Sequence, residues 1–341
     1  MRVLILTALQ LEFFAVQQHV ENRRTVSHDS GTLYEEGVFR VRGREVPILL
    51  CQTGAGNIRA AHEAERAISF FAPTHALFVG VAGGLKDVAL GDVVAATKVY
   101  GYESGKAEQT FRPRPEIGQS DYAMVQHAQR VSRDGRWKLR VPGINNEIVR
   151  SFVGPIAAGE KVVASADSTV FKLIKATYGD ALAVEMEGFG MLTAVHASAN
   201  VQSLVIRGIS DLIEGKSQAD AGGSQERAAD NAAAFAFEVL ESIAEIGRDT
   251  LNEDELWKSL EEVVIQLYPK GPEDSSIWSR SDGDQSSLPY ATSPRGAWHT
   301  ALRTLRLGGG GRGISRAKLL SRLGEDFPLN KEVQRMIENW P

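Results

Sequence analysis

The sequence predicts an α/β domain with a mixed, largely central sheet, followed by a small all-α domain. Three observations carry this. Up to about residue 246, short apolar runs alternate with stretches of helical spacing. Several of those runs are apolar at successive positions, the pattern of strands covered on both faces. After "GRDTLNEDEL" the runs stop and only helical spacing remains. A chain of 341 residues is too long for one ordinary core, so two domains are expected, at residues 1–247 and 252–341.

In chain order, the strand candidates are "VLILTAL" (3–9), "VPILLCQ" (46–52), "HALFVGVAG" (75–83), "GDVVAATKVY" (91–100), "VVAS" (162–165), "LAVEME" (182–187) and "SLVIRGIS" (203–210). Helical spacing falls on "NIRAAHEAERAISFF" (57–71), "GFGMLTAVHASAN" (188–200) and "SQERAADNAAAFAFEVLESIAEI" (224–246), the last opening on a Ser cap with Glu226 just inside it. In the second part, "LWKSLEEVVIQLYP" (256–269) reads as an amphipathic helix stopped by Pro269, and a Ser/Asp/Gly-rich loop runs on to Pro294. "RGAWHTALRTLRL" (295–307) and "SRAKLLSRLGEDFP" (315–328) read as further helices around the flexible turn "GGGGRG" (308–313). Trp257 and Trp298 are expected in the core of this helical domain.

Composition narrows the function. A formal net charge of -5 with no dense Lys/Arg stretch gives no reason to expect a nucleic-acid partner, and points to a small molecule or a protein. The single cysteine, Cys51, excludes an internal disulfide framework and suits a reducing, cytoplasmic setting. The opening apolar run breaks at Thr7, too soon for a signal peptide or a membrane span. No HxxxH or CxxC spacing is present, so no metal and no cofactor are expected.

Four stretches fall where strands end, the place where open α/β sheets bind ligands. Glu12 follows the first run, "GVAGG" (80–84) with Ala82 and Gly83 closes the third, "VEMEG" ends the sixth, and Asp211 closes the seventh. The pair Glu185 and Glu187, flanking Met186, stands out. Two carboxylates sharing one face of a core strand raise each other's pKa unless one serves a ligand or pairs with a cation. Taken singly, Glu12 reads as a solvated helix-start residue, the glycines as a tight turn and Asp211 as a helix cap.

Residues 1–246 resemble the nucleoside phosphorylase family, and most closely its hydrolytic branch, the methylthioadenosine/S-adenosylhomocysteine nucleosidases. The resemblance rests on the order and spacing of "ALQLE", "TGAGNIRAA", "VGVAGGLKDVALGDVV" (79–94), "SADS" (165–168), "VEMEGFG" and "RGISD". It implies that Asp211 is the general acid toward purine N7, so that it must carry a proton when substrate binds. It implies that Glu12 orients and deprotonates the attacking water, that Glu187 binds the ribose hydroxyls, and that Met186 packs on the sugar with Glu185 beside it toward the 2'-hydroxyl. Purine contacts are implied around Ala166 and Asp167, where Phe171 is the aromatic nearest the family's stacking position. Val81 replaces the Ser or Thr that could hold phosphate, which favours water as nucleophile. The resemblance further implies homo-oligomers built through this domain.

Residues 100–122 follow a strand and hold Lys106, Arg112 and Arg114 among aromatics, so they are candidates to bind a phosphate chain at the sugar 5'-end. That reading favours ATP or AMP as substrate. Methylthioadenosine or S-adenosylhomocysteine hydrolysis, phosphorolysis, and nucleotide sensing without turnover are the alternatives. Residues 252–341 resemble an effector-associated domain of the helical adaptor type found in bacterial conflict and immune systems, through "LWKSLEEVVIQLYP", Trp298 and "AKLLSRLGEDFPLN". That resemblance implies a protein partner carrying a like domain. The first helix is acidic (Glu253, Asp254, Glu255, Glu261, Glu262), while residues 285–324 hold seven Arg/Lys and no acid, a layout suited to homotypic docking.

Overall fold

A computed structural model of the chain describes residues 1–41, 43–109, 111–143, 149–198, 200–213, 224–249, 253–288 and 290–340. It divides into two compact units, Met1–Glu245 and Ile246–Pro341. The first unit runs β1 (Val3–Thr7), α1 (Gln10–Gln17), β2 (Glu21–Ser27), β3 (Leu33–Val41), β4 (Arg44–Gln52), α2 (Asn57–Phe71), β5 (His75–Gly84), β6 (Val93–Gly101), β7 (Gly105–Lys106), β8 (Arg112–Pro113) and β9 (Glu116–Gln119). It continues with α3 (Tyr122–Asp134), a 3-10 turn (Arg136–Arg140), β10 (Ser151–Ala158), α4 (Thr169–Thr177), β11 (Ala183–Glu185), α5 (Gly188–His196), β12 (Gln202–Leu212) and α6 (Ser224–Asp249).

The sheet is mixed, in the order β11-β10-β6-β12-β5-β1-β4-β3-β2, with β9 on β6 and a further β11–β5 pairing. Its central strands are buried on both faces, as their unbroken apolar runs require. On one face Val3, Ile5, Leu204 and Ile206 pack with residues of α1, α3 and α6. On the other, Leu4, Leu6 and Val205 pack with α2 and α5. Cys51 is a core residue.

Six of the described strands, β2, β3, β10 and the short β7, β8 and β9, fall outside the runs singled out in the sequence, and one expected strand is absent. β2 is largely exposed, and β3 buries only scattered positions such as Tyr34 and Phe39 between charges such as Glu35 and Glu36, so neither shows an apolar run. β10 is interrupted by Gly154 and Pro155, where its pairing with β6 shifts register; Leu182 fills the space a Gly154 side chain would need. Residues 162–165 form no strand; they follow β10 as irregular chain.

The second unit is helical: α7 (Glu253–Leu267), a four-residue α8 (Ile277–Arg280), α9 (Pro294–Arg306), α10 (Arg316–Asp326) and α11 (Lys331–Asn339). The side chains of Ser293, Ser315 and Asn330 cap α9, α10 and α11. Trp257, Trp278, Trp298 and Trp340 build its core, and the Trp298 indole donates to the Tyr268 carbonyl at 3.0 Å. Among the described residues no helix is long and apolar enough to cross a membrane.

Candidate active site

The ends of β1, β5, β10, β11 and β12 open on one cavity of about 240 Å³, the scale of a small molecule rather than a macromolecule. Glu12, Ala82, Gly83, Glu185, Met186, Glu187 and Asp211 all border it. The glycines expected in a tight turn instead form the end of β5, and neighbours shape that end. A Cβ at Gly80 would run into both the Arg207 guanidinium and the Glu12 carboxylate, and one at Gly83 would lie 3.1 Å from an Asp211 oxygen.

Glu12 is buried, and backbone amides hold its carboxylate. Oε2 accepts from Ala8 and Leu9, each at 2.8 Å, and Oε1 accepts from Val81 at 2.8 Å. Burial pushes its pKa up, opposed by Arg207 and by those three amides. Val81 therefore serves through its backbone N–H, and its side chain brings no hydroxyl to the wall.

Glu185 and Glu187 are separated by their surroundings. β11 ends at Glu185, and the chain then turns into α5, so the two do not share a strand face. Instead both meet a buried cation, Arg207 of β12. The Arg207 Nη2 pairs with Glu185 in a short contact and reaches Glu187 Oε2 at 3.4 Å, while Nε donates to Glu185 at 3.1 Å. Glu185 also accepts from the amides of Glu187 (3.0 Å) and Gly188 (2.8 Å), capping α5. Its carboxylate is thus committed to the protein, which corrects the expectation that it reaches toward a sugar hydroxyl. Glu187 is less occupied: Oε1 accepts from the Gly56 amide at 3.1 Å, and Oε2 lies toward Arg207. Burial raises its pKa, with Arg207 pulling down and Glu185 pushing up. The glycines of "VEMEGFG" serve this packing. Gly188 leaves room for the Glu185 carboxylate, and a Cβ at Gly190 would collide with the Asn57 backbone of α2.

Arg207 is fully buried, lies over the Phe78 ring, and keeps Nη1 without a hydrogen-bond partner among the described residues. Burial alone would lower its pKa; Glu185, Glu187 and Glu12 reverse that and hold it charged. The sequence reading passed over this residue. The available signal was a lone Arg in the apolar run "SLVIRGIS", which needs an acidic partner if the strand is central.

Two groups of expected site residues lie elsewhere. Ala166, Asp167 and Phe171 do not border the cavity: Asp167 is fully exposed, and Phe171 is buried in an apolar cluster with Tyr178 and Ile174. The wall attributed to them is formed by Lys161, Val162 and Val163, the residues that follow β10. Lys106, Arg112 and Arg114 are exposed and absent from the cavity lining. Lys106 and Arg112 sit on the β7–β8 ribbon, and both pair with Glu108, at 2.5 and 2.9 Å. Lys161 brings a cation to the cavity, and it also pairs with Glu103. Among the described residues no group of His, Cys, Asp or Glu forms a metal site.

A mixed sheet whose strand ends surround one cavity, with three carboxylates bordering it and a buried arginine behind, has a nucleoside phosphorylase-like fold. The Phosphorylase superfamily matches residues 2–243, and the chain belongs to that family. Residues 249–341 match Effector-associated domain 1. An ATP nucleosidase, Cap17, from Escherichia coli is 30% identical over 232 residues, covering 61% of this chain; the match spans 45% of that longer protein. The 5'-methylthioadenosine/S-adenosylhomocysteine nucleosidase of Chromohalobacter salexigens is 28% identical over 224 residues, 62% of this chain and 84% of that one. Among solved structures, the corresponding nucleosidase of Neisseria meningitidis with methylthio-immucillin-A aligns with a TM-score of 0.57 at 25% identity, over 71% of this chain and 99% of its own. The Streptococcus pneumoniae enzyme with 8-aminoadenine gives 0.57 at 26%, over 71% and 100%.

Proposed function

We propose that the first unit is a purine nucleoside or nucleotide N-ribohydrolase. The observation that carries this is the convergence of Glu12, Glu187 and Asp211 on one small cavity, with Arg207 behind them. Cleavage breaks the bond between the sugar anomeric carbon and the purine nitrogen, and the electron pair leaves with the base. Asp211 gives its proton to purine N7, which makes the base a better leaving group. Water bonds to the anomeric carbon and passes a proton to Glu12, whose carboxylate the amides of Ala8, Leu9 and Val81 hold in place. Arg207, buried behind Glu12 and Glu187, holds positive charge behind the two carboxylates. Glu187 accepts from the ribose hydroxyls, and Met186 packs on the sugar.

Water is favoured over phosphate because the cavity presents carboxylates, offers Val81 where a hydroxyl would bind an anion, and has Lys161 as its cation among the described lining residues. A nucleotide such as ATP or AMP is the proposed substrate, supported by the ATP nucleosidase relative. A methylthioadenosine or S-adenosylhomocysteine substrate is the second reading, favoured by the apolar rim of Leu9, Val162 and Met186 and by the absence of Lys106 and Arg112 from the cavity lining. The second unit is proposed to dock a protein partner with a like domain and so to place the enzyme in a cytoplasmic conflict system. Assembly of copies through the first unit is part of the same proposal. Chromatography of purified protein with nucleosides and nucleotides, with and without phosphate, tests the reading. Phosphate-independent release of purine base supports it, and methylthioadenosine cleaved far better than any nucleotide selects the second substrate. Asp211→Asn separates an enzyme, which loses base release, from a sensor, which still binds and signals.

A further inference from the structure

The strand that carries Arg207 and Asp211 is wedged against α6 with almost no tolerance. A Cβ at Gly208 would run into the Ala228 carbonyl, so strand and helix backbones touch one residue from Arg207 and three from Asp211. Asn231 of α6 donates to the Gly91 carbonyl at 2.7 Å. Gly91 in turn donates to Ile209 of β12 at 2.8 Å, which ties the helix to the strand a second time. The first turn of α6 also brings Gln225 to the cavity. Here helix position and site geometry are one quantity.

The other end of the helix is seated differently. Arg140 donates to Glu238 at 2.8 Å and makes a short contact with Glu241. Arg136 lies 3.5 Å from Glu238 and 3.7 Å from Glu245, and Arg130 donates to Glu245 at 3.0 Å. Three arginines from α3 and the 3-10 turn after it therefore clasp three glutamates of α6, about 15 to 25 Å along the helix from Ala228. The clasp is polar and partly exposed, whereas the seat at Gly208 is buried and apolar.

We propose that this arginine clasp is a positioning device for the reaction: through α6 it fixes the placement of Arg207 and Asp211, and Arg140 and Arg136 are its positioning residues. An interior as closely packed as the Ala228–Gly208 contact passes a helix displacement on to the strand rather than absorbing it. A small misplacement of a proton donor reduces turnover far more than binding. The inference rests on the catalytic reading of Asp211.

The test uses the full chain with Arg136→Gln and Arg140→Gln together, and with Arg140→Lys as the charge-preserving control. The double variant is expected to lose at least about fivefold in kcat for purine release with KM within about twofold, and Arg140→Lys to stay near wild type. Amide hydrogen exchange across Arg207–Asp211 is read in parallel and is expected to quicken in the double variant. It needs no turnover, so if the wild type releases no base, faster exchange still upholds the coupling while the catalytic reading falls. Unchanged kcat or unchanged exchange at β12, in a double variant that remains folded by its thermal transition, overturns the proposal. If that variant fails to fold, Arg136→Gln alone is read by the same two measurements.

Discussion

The cavity and the β7–β8 ribbon are both clusters of charge in the first unit, and they have opposite fates. Around the cavity, Glu12, Glu185, Glu187 and Arg207 are buried and each is paired: amides hold Glu12, Arg207 and the α5 amides take up Glu185, and Glu187 is the less occupied of the pair. On the ribbon, Lys106 and Arg112 are exposed and share Glu108. Buried charge has to be arranged, because an unpaired ion in the interior is penalised by several kcal/mol. Exposed charge is already satisfied by water, so its clustering carries little information about function. The contrast supports the proposal that chemistry belongs to the cavity and not to the ribbon.

The contrast is tested most severely at the acid and the base. Asp211→Asn, or Glu12→Gln, is expected to reduce purine release by about a hundred- to ten-thousand-fold, measured as initial rate at saturating substrate. Retention of more than a tenth of the rate would move the chemistry elsewhere.

Breaking the buried pair comes next. Removing the Arg207 charge by Arg207→Met leaves Glu185 without its cation, and the expected loss is about 3 to 5 kcal/mol of stability in chemical denaturation. A fully buried arginine whose loss left stability unaltered would mean the pair is not closed in solution.

The pH profile is a milder probe of the same burial. As the proposed base, Glu12 works only when ionised, and burial raises its pKa above the ordinary carboxylate value. Activity is therefore lost as pH falls through that raised value, and the acid limb of kcat/KM should lie above pH 4.5, the ordinary value for Glu. A limb at or below it would contradict the desolvated site.

The smallest effect is expected on the ribbon. Lys106→Ala with Arg112→Ala should leave kcat/KM for a nucleotide within about twofold, since a charge-assisted contact of about 1.5 to 3 kcal/mol would show as a tenfold or greater loss. A tenfold loss would return these cations to the substrate.

How much of this could be read beforehand follows the same physics. That Glu12, Glu187 and Asp211 border one cavity is legible because each is a charge at or just beyond the end of an apolar run, where it is conspicuous; the glycines at 80–84 read as a turn but continue β5. The wall at Lys161, Val162 and Val163 was placed several residues too far along. Gly154 and Pro155 hide β10, so the strand end was sought at "VVAS" and the wall around Ala166 and Asp167. Arg207 was hidden inside its own apolar run, since an average over "SLVIRGIS" dilutes one cation among aliphatics. β2 carries no apolar run because it is the exposed edge strand, and β3 carries none because its buried positions are interspersed with half-buried and exposed ones. In the second unit, Ser293, Ser315 and Asn330 announce helix starts, but the four-residue α8 that buries Trp278 is too short to leave a periodic pattern.

The central claim is that the carboxylates around this cavity deliver water to a purine glycosidic bond. Purine release in heavy-oxygen water, with phosphate present and the sugar product analysed by mass, tests it directly. Free base and a sugar carrying one heavy oxygen at its anomeric carbon are expected, at a rate independent of phosphate and at least about a hundredfold lower in Asp211→Asn. A sugar 1-phosphate without the label, or base release that survives Asp211→Asn, would contradict it.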